Sequence, residues 1–168
     1  GQRVFHALHH LFLSSFGVYV VVFDMHKLVE QDGAEQQHEA LEELRFWLTS
    51  IRVHAKEAPF VLVGTHRDEC SPDDSATGRV NEMLTGFDFA RVTMTERLIQ
   101  NDDAHLIFFP VDNVRGLCGP DPDPTLLRLR RAIESAALDD PREYVHDEVP
   151  VWWLQLLDAL HESGSPFM

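Results

Sequence analysis

Pro59-Phe60-Val61-Leu62-Val63-Gly64-Thr65-His66-Arg67-Asp68 is the stretch that decides the fold of this chain. Its apolar part predicts a buried parallel strand over Phe60–Gly64, because a strand covered on both faces needs a nearly continuous apolar run. The polar residues that follow predict a loop at the carboxyl end of the strand, where α/β proteins commonly bind ligands. An ordinary strand with a capped turn, which any α/β domain contains, is the competing interpretation.

The rest of the chain repeats this alternation of helix and buried strand. Two further apolar runs predict strands over Val18–Phe23 and His105–Val111. The first of these is apolar on both faces, which predicts that it is covered on both sides. Helices are predicted over the ranges 4–15, 34–55, 77–100 with a break at Gly86, and 124–138. The pattern indicates an α/β fold with a parallel sheet covered by helices and joined by right-handed crossovers.

A polar segment follows each of the three predicted strands. These segments are Asp24, Thr65–Asp68 and Asp112-Asn113. Because parallel strands end at the same edge of a sheet, we expect the three segments to lie together, and this favours a nucleotide site. Asp68 is the best candidate for selecting a base, since a carboxylate can accept from the two adjacent N–H donors on a guanine edge.

Composition excludes several other classes of function. The chain has 168 residues, enough for one domain or one domain plus part of a second, and a formal net charge of −14. That charge argues against binding to nucleic-acid backbones or anionic membranes. Two cysteines give no disulfide framework, which favours a reducing, cytoplasmic compartment, and no apolar run approaches the roughly 20 residues of a membrane span. The chain lacks an initiator Met, so we expect a fragment.

The order of the motifs resembles that of a known family of GTPases. Gly1-Gln2 resembles the end of the Asp-x-Ala-Gly-Gln motif of small GTPases, and Thr65–Asp68 resembles the Thr-His-x-Asp variant of the guanine-reading Asn-Lys-x-Asp motif. That variant is typical of the Roc domains of Roco proteins, among which the leucine-rich-repeat members are the most similar. The range 5–25 is also similar to Roc domains, and Val149-Pro150 with the apolar residues after it resembles the opening of a COR domain.

The resemblance implies a P-loop GTPase-like fold and a division of the chain. Residues 1–140 would form the distal part of a Roc domain, and residues 141–168 would form a linker and the start of COR. The implied ligands are GTP or GDP with Mg²⁺. Protein partners would bind through Roc–COR surfaces, and a homodimer is one such arrangement.

The resemblance also implies roles for individual residues. Asp68 would pair with guanine N1 and N2, Thr65 would tie the base loop to its neighbours, and His66 would lie against the base or ribose. Gly1 would offer its N–H to the γ-phosphate, and Gln2 would orient the attacking water.

Two departures from the family pattern limit what the chain can do. Asp112-Asn113 stands where GTPases carry a Ser-Ala-Lys-like loop behind the base, so its contact with the base is open. The sequence also contains no Gly-x-x-x-x-Gly-Lys-Ser/Thr phosphate loop. We therefore expect most Mg²⁺ ligands to come from residues before Gly1, and the sheet to expose an apolar edge. We also expect these 168 residues to bind GTP weakly or not at all.

Three alternatives remain at this stage. A regulatory scaffold of the same family would use the domain for subunit contacts without depending on nucleotide. A generic doubly wound domain would bind an unrelated ligand. His6 and His10, four residues apart on a predicted helix, could face a metal, but a solvated helix face is the favoured interpretation. Cys70 lacks a cationic neighbour that would activate it, so we predict no nucleophile there.

Overall fold

The computed structural model describes residues 13–30, 33–70, 75–86, 91, 96–115 and 122–138. Four strands and four helices lie in these ranges: β1 (Tyr19–Asp24), α1 (Met25–Val29), α2 (Ala34–His54), β2 (Phe60–Thr65), α3 (Ser75–Thr85), β3 (Leu98–Ile99), β4 (Phe109–Pro110) and α4 (Pro124–Leu138). Two single 3₁₀ turns, Arg67–Glu69 and Asp102–Ala104, complete the described elements. The chain is therefore an α/β protein, as the sequence predicts.

The sheet is parallel and is built around β2. β1 pairs with β2 along its whole length, from Tyr19 opposite Phe60 to Asp24 opposite Thr65. On the other side, β3 pairs with the start of β2 and β4 pairs with its end. Helices flank this sheet, which agrees with a partial P-loop GTPase-like fold.

Two of the four predicted helices, those over 34–55 and 124–138, agree with the structure. Helix α2 runs from Ala34 to His54 and buries Leu44, Leu48 and Ile51. Helix α3 ends at Thr85, next to the predicted break at Gly86, and α4 has the predicted bounds. Apolar positions three and four residues apart are enough to locate such helices, because they form one buried stripe.

The third predicted strand is wrong in its length, and the predicted helix before it extends too far. Leu98–Ile99, assigned to the end of that helix, is the short strand β3. The chain then leaves the sheet in the Asp102–Ala104 turn, and only Phe109–Pro110 rejoins it as β4. His105 has a left-handed backbone, with φ 53°, which is incompatible with an extended strand.

Helix α1 is a further element that the sequence analysis did not predict. Its cap is Asp24, whose Oδ1 accepts hydrogen bonds from the backbone N–H groups of His26 at 3.0 Å and Lys27 at 3.4 Å. An acidic side chain at this position satisfies donors that a helix start otherwise leaves unpaired. The cap bends the chain into a helix directly at the end of β1.

Two apolar layers cover β2, one on each face. Phe60 and Leu62 face a cluster that includes buried residues of α1, α2 and α3. Val61 and Val63 face the other way, into a cluster with Leu129 of α4. This is the arrangement expected for a central parallel strand.

Strand β1 differs from β2 in its coverage. The described residues cover one of its two faces and leave the other open. Val21 and Phe23 are buried, whereas 45% of Val20 and 59% of Val22 is exposed. The prediction that this strand is covered on both faces is therefore wrong for the described ranges, because α4 lies against β4 and β2 and leaves the same face of β1 open. β1 is also an edge strand of the described sheet, so an apolar edge is exposed.

A buried acid connects α4 to the end of β4. Asp123, which is 1% exposed, accepts hydrogen bonds from the N–H groups of Thr125 and Asp112, both at 2.8 Å. The first bond caps α4, and the second fixes the backbone where the chain leaves the sheet.

Several predictions fall outside the described residues. The first nine residues of the helix predicted over 4–15, which are residues 4–12, lie outside them. So do Gly1 and Gln2, and the proposed linker and COR segment over 141–168. Within the described ranges, the helices are too short or too polar to cross a membrane.

The first prediction concerns Gly64, where a side chain has no room. A Cβ atom there would lie 3.0 Å from Phe108 Cε2 and 3.2 Å from Phe23 Cζ. We expect Gly64→Ala to lower the free energy of unfolding by about 1–3 kcal/mol, as overpacking does, in urea denaturation. Gly78→Ala is the control, since the space around Gly78 in α3 is open, and it should stabilise the protein by about 0.5–1 kcal/mol. Equal effects of the two substitutions would contradict the packing at Gly64.

The second prediction concerns the Asp123 cap. Asp123→Ala leaves two backbone N–H groups without their acceptor, so we expect a loss of about 1–3 kcal/mol in the free energy of unfolding. Asp123→Asn keeps one acceptor oxygen and should lose less. Asp102→Ala removes an exposed acid and should change stability by less than about 0.5 kcal/mol. A loss at Asp123 no larger than that at Asp102 would show that the two hydrogen bonds contribute little.

Candidate functional site

The carboxyl ends of β1, β2 and β4 meet at one edge of the sheet. Asp24 and Thr65 are direct register partners, and Val111, which follows β4, donates its N–H to the Gly64 carbonyl at 2.8 Å. The polar segments that the sequence places after its strands are therefore brought together, because all three strands run in the same direction.

The loop formed by residues 65–70, called the base loop after the role that the family resemblance implies for it, is attached to β1 on one side and to the residue after β4 on the other. The Thr65 hydroxyl donates to the Phe23 carbonyl of β1 at 3.1 Å. On the other side, the Arg67 N–H donates to the Val111 carbonyl at 3.4 Å. Inside the loop, the His66 carbonyl accepts from the Cys70 thiol at 3.3 Å and from the Glu69 N–H at 3.2 Å. These bonds leave the loop little freedom to rearrange.

Asp68 lies on the 3₁₀ turn of the base loop and is exposed. Within the described ranges, the structure gives its carboxylate no hydrogen bond or ion pair. Two acceptor oxygens on a fixed loop are thus available to a ligand that presents adjacent donors.

His66 has an unusual backbone and a defined side-chain environment. Its φ of 60° and ψ of 35° are left-handed, a conformation that residues with a Cβ rarely adopt. The ring Nδ1 lies 3.0 Å from Thr65 Oγ1 and 3.5 Å from Asp24 Oδ1. Asp24 is itself held by the α1 cap, and its other oxygen lies 3.7 Å from Lys27 Nζ.

Asp112 and Asn113 occupy the third strand end, but Asp112 serves its own turn. Its Oδ1 accepts from the N–H groups of Val114 at 2.9 Å and Arg115 at 3.2 Å. This is a side-chain-capped turn, so the carboxylate is already engaged with backbone donors. Asn113 is exposed.

Asp123 is a residue that the sequence analysis missed at this edge. Through its bond to the Asp112 N–H it fixes the chain directly after β4. The signal for it was available, since an Asp followed by Pro at the first helical position is a typical helix start. The sequence analysis located α4 from its apolar spacing instead, and neither signal indicates that the Asp123 carboxylate reaches back to the sheet.

The electrostatic character of the edge is acidic. Burial raises the pKa of the Cys70 thiol, and the carboxylates of Asp24, Asp68 and Glu69 raise the pKa further, with Arg79 acting in the opposite direction. A thiol with a raised pKa is a poor nucleophile near neutral pH.

The described residues contain no cluster of metal-binding side chains. None of their His, Cys, Asp and Glu side chains form a group of three or more that could bind a metal ion. Gly1 and Gln2 lie outside the described ranges, so the structure does not place them relative to the base loop.

Comparison with known proteins gives partial, distant similarity. No protein-family model and no solved structure matches the chain. The probable serine/threonine-protein kinase pats1 of Dictyostelium discoideum is 36% identical over 69 residues, which is 41% of this chain and 2% of that protein. The probable serine/threonine-protein kinase roco6 of the same organism is also 36% identical over 69 residues, 41% of this chain and 3% of that protein.

A third relative comes from an animal. The leucine-rich repeat serine/threonine-protein kinase 1 of Caenorhabditis elegans is 33% identical over 78 residues, 46% of this chain and 3% of that protein. The chain thus spans only 2–3% of the length of these three relatives. The matches relate it distantly to Roco-type proteins.

Proposed function

We propose that this chain is the base-binding part of a GTP-binding Roc domain in a Roco-type signalling protein. The observation that carries the proposal is the exposed Asp68 carboxylate on a base loop that is hydrogen-bonded to both neighbouring strands. The partial similarity to Roco-type proteins supports it independently. Residues 1–140 then belong to Roc and residues 141–168 to a linker and the start of COR.

Guanine selection follows from the chemistry of a carboxylate. Guanine presents N1–H and the N2 amino group side by side, and each can donate to one oxygen of Asp68. Adenine presents a lone pair at N1, which a carboxylate repels. Hydrogen bonds to a charged group contribute roughly 1.5–3 kcal/mol each, enough for a strong preference between the two purines.

Phosphate binding and hydrolysis would depend mainly on residues outside the base loop. Bound Mg²⁺ would neutralise the charge that develops on the transferring phosphoryl group. Gly1 and Gln2 stand in the positions from which the family's motif contacts the γ-phosphate and orients water. With them, the complete domain would hydrolyse GTP to GDP, with catalysis resting on positioning and electrostatic stabilisation.

A second candidate function is a nucleotide-independent scaffold or dimerisation module. The exposure of Val20 and Val22 on the edge strand favours it, because apolar side chains on an open sheet face are suited to contact another surface. In that case the Asp68 carboxylate would have no ligand to select. Nucleotide selectivity therefore separates the two candidates.

The third prediction exchanges the hydrogen-bonding pattern of Asp68. In the full-length protein, Asp68→Asn replaces one acceptor oxygen by a donor NH₂, which fits xanthine, whose C2 carries a carbonyl in place of the amino group. We expect GTP binding to weaken by about ten-fold or more and the preference to shift towards xanthosine triphosphate, measured by competition with a fluorescent nucleotide.

Glu69→Gln is the matched control for Asp68→Asn. It removes the same charge from the adjacent exposed position on the same turn, so it should leave the preference for GTP intact. If Asp68→Asn retains the preference for GTP over the xanthine and adenine nucleotides, base selection by Asp68 is excluded.

The fourth prediction concerns the 168-residue chain without further sequence. Because it contains no phosphate-loop motif, we expect titration with a labelled GTP analogue to show binding weaker than micromolar. The full-length protein is the comparison and should bind GTP more tightly. Micromolar binding by the 168-residue chain would contradict the assignment of phosphate binding to other residues.

A further inference from the structure

We propose that Thr65 and Asp24 hold His66 in the Nδ1–H tautomer, so that its Nε2 accepts a hydrogen bond from a ribose hydroxyl of the nucleotide. The inference rests on the proposed function for the identity of the ligand. The tautomer itself follows from the geometry of the three side chains alone. Thr65 and Asp24 act as positioning residues in this arrangement, whereas His66 contacts the ligand.

The first step is the direction of the Thr65 hydroxyl. A threonine has one O–H donor, and the Phe23 carbonyl, 3.1 Å from Thr65 Oγ1, can only accept. When the Thr65 hydroxyl donates to that carbonyl, its oxygen accepts from His66 Nδ1, 3.0 Å away. Both contacts are hydrogen bonds at the same time only when the imidazole carries a proton on Nδ1.

The second step is the position of Asp24. Its Oδ1 lies 3.5 Å from His66 Nδ1, and an ionised carboxylate is an acceptor only. The same oxygen accepts from the N–H groups of His26 and Lys27, so the α1 cap fixes its place. A second acceptor beside Nδ1 favours the same tautomer as Thr65 does.

The third step is the consequence for the other ring nitrogen. A neutral imidazole with its proton on Nδ1 has a lone pair on Nε2. Among the described residues, none makes a hydrogen bond to His66 Nε2, and 45% of the side chain is exposed. The ring thus offers a ligand one acceptor of fixed orientation.

The left-handed backbone of His66 is a second, independent observation. A residue with a Cβ is held in this region only when its surroundings compensate for the strain, and such residues cluster at ligand-binding sites. The bond from the Thr65 hydroxyl to β1 and that from the Arg67 N–H to Val111 hold the loop on either side of His66.

The donor on the ligand is identified by elimination. Guanosine nucleotides carry donors at N1, at the N2 amino group and at the ribose hydroxyls. Asp68, two residues after His66 on the same loop, is assigned the base donors. The ribose hydroxyls are then the donors left for Nε2.

The tautomer is tested first, without nucleotide. ¹⁵N–¹H correlation spectra of the histidine side chains distinguish a protonated from an unprotonated ring nitrogen, and His66→Phe identifies the signals of His66 by their loss. We expect the neutral ring to carry its proton on Nδ1 in the unmodified protein and in Thr65→Ser. In Thr65→Val and in Asp24→Asn, which keeps an acceptor for the cap, the Nε2–H form should gain population. An Nε2–H ring in the unmodified protein would overturn the inference.

Thermal unfolding of two glycine variants checks the side-chain contacts. His105 is the matched control, since it is also left-handed, is exposed, and has no side-chain hydrogen bond to a described residue. His105→Gly should raise Tm because it relieves backbone strain. His66→Gly should raise Tm less or lower it, because it also removes the contacts of Nδ1. Equal increases would show that these contacts do not hold the ring.

The ligand is tested in the full-length protein. GTP and 2′,3′-dideoxy-GTP differ only in the ribose hydroxyls, and loss of one hydrogen bond weakens binding by about three- to ten-fold. We expect the unmodified protein to bind GTP more tightly than 2′,3′-dideoxy-GTP by this factor. In His66→Phe, the two nucleotides should bind with equal affinity. Equal affinities in the unmodified protein, or an unchanged difference in His66→Phe, would exclude the contact. If neither nucleotide binds, the proposed function and the ligand assignment both fail, while the tautomer is decided by the spectra.

Discussion

The parallel register between β1 and β2 places Asp24 directly beside Thr65, and the arrangement of the site depends on it. A shift of one residue would turn every side chain of β1 to the opposite face of the sheet and would expose Val21 and Phe23. Gly64 is part of the same constraint, because it allows the rings of Phe23 and Phe108 to pack against the end of β2. The base loop therefore starts from a position that the core determines.

The sequence predicts well those features that repeat along the chain. The apolar stripe of α2 and the continuous run of β2 are local signals, and the structure contains both elements near their predicted bounds. β3 has only two residues and lies in a segment without a clear period, so local spacing could not separate it from the preceding helix. The uncovered face of β1 could not be predicted either, since burial depends on which elements pack there and not on the composition of the strand.

The site shows the same division between local and tertiary information. The position of Asp68 in an exposed loop follows from the strand and turn pattern of the sequence. The left-handed backbone of His66 and its contact with Asp24 do not, because Asp24 is 42 positions earlier in the chain and reaches the loop only through the strand register. Asp123 reaches Asp112 in a comparable way, across 11 positions, through the packing of α4 on the sheet.

In the proposed nucleotide site, the base loop and the phosphate-binding groups have different roles. Asp24, Asp68 and Glu69 place three carboxylates near the edge of the sheet, and Lys27 Nζ lies 3.7 Å from one of them. Phosphate binding requires backbone N–H groups or cations, and the motif that supplies them is absent from the sequence. Under the proposed function, the residues that read the base and those that hold the phosphates come from different segments of the protein, so each can be altered without removing the other.

The stability of β1 bears on the base loop. Val20 and Val22 lie beside Val61 and Val63 in the register, on the face that α4 covers only over β2 and β4. Burying the exposed parts of these two side chains would contribute on the order of 1 kcal/mol each to the stability of β1. β1 ends in Asp24, which caps α1 and lies against His66, so any element that covers this face also restrains the ring of the base loop. Coverage of the open face and order in the base loop should therefore increase together.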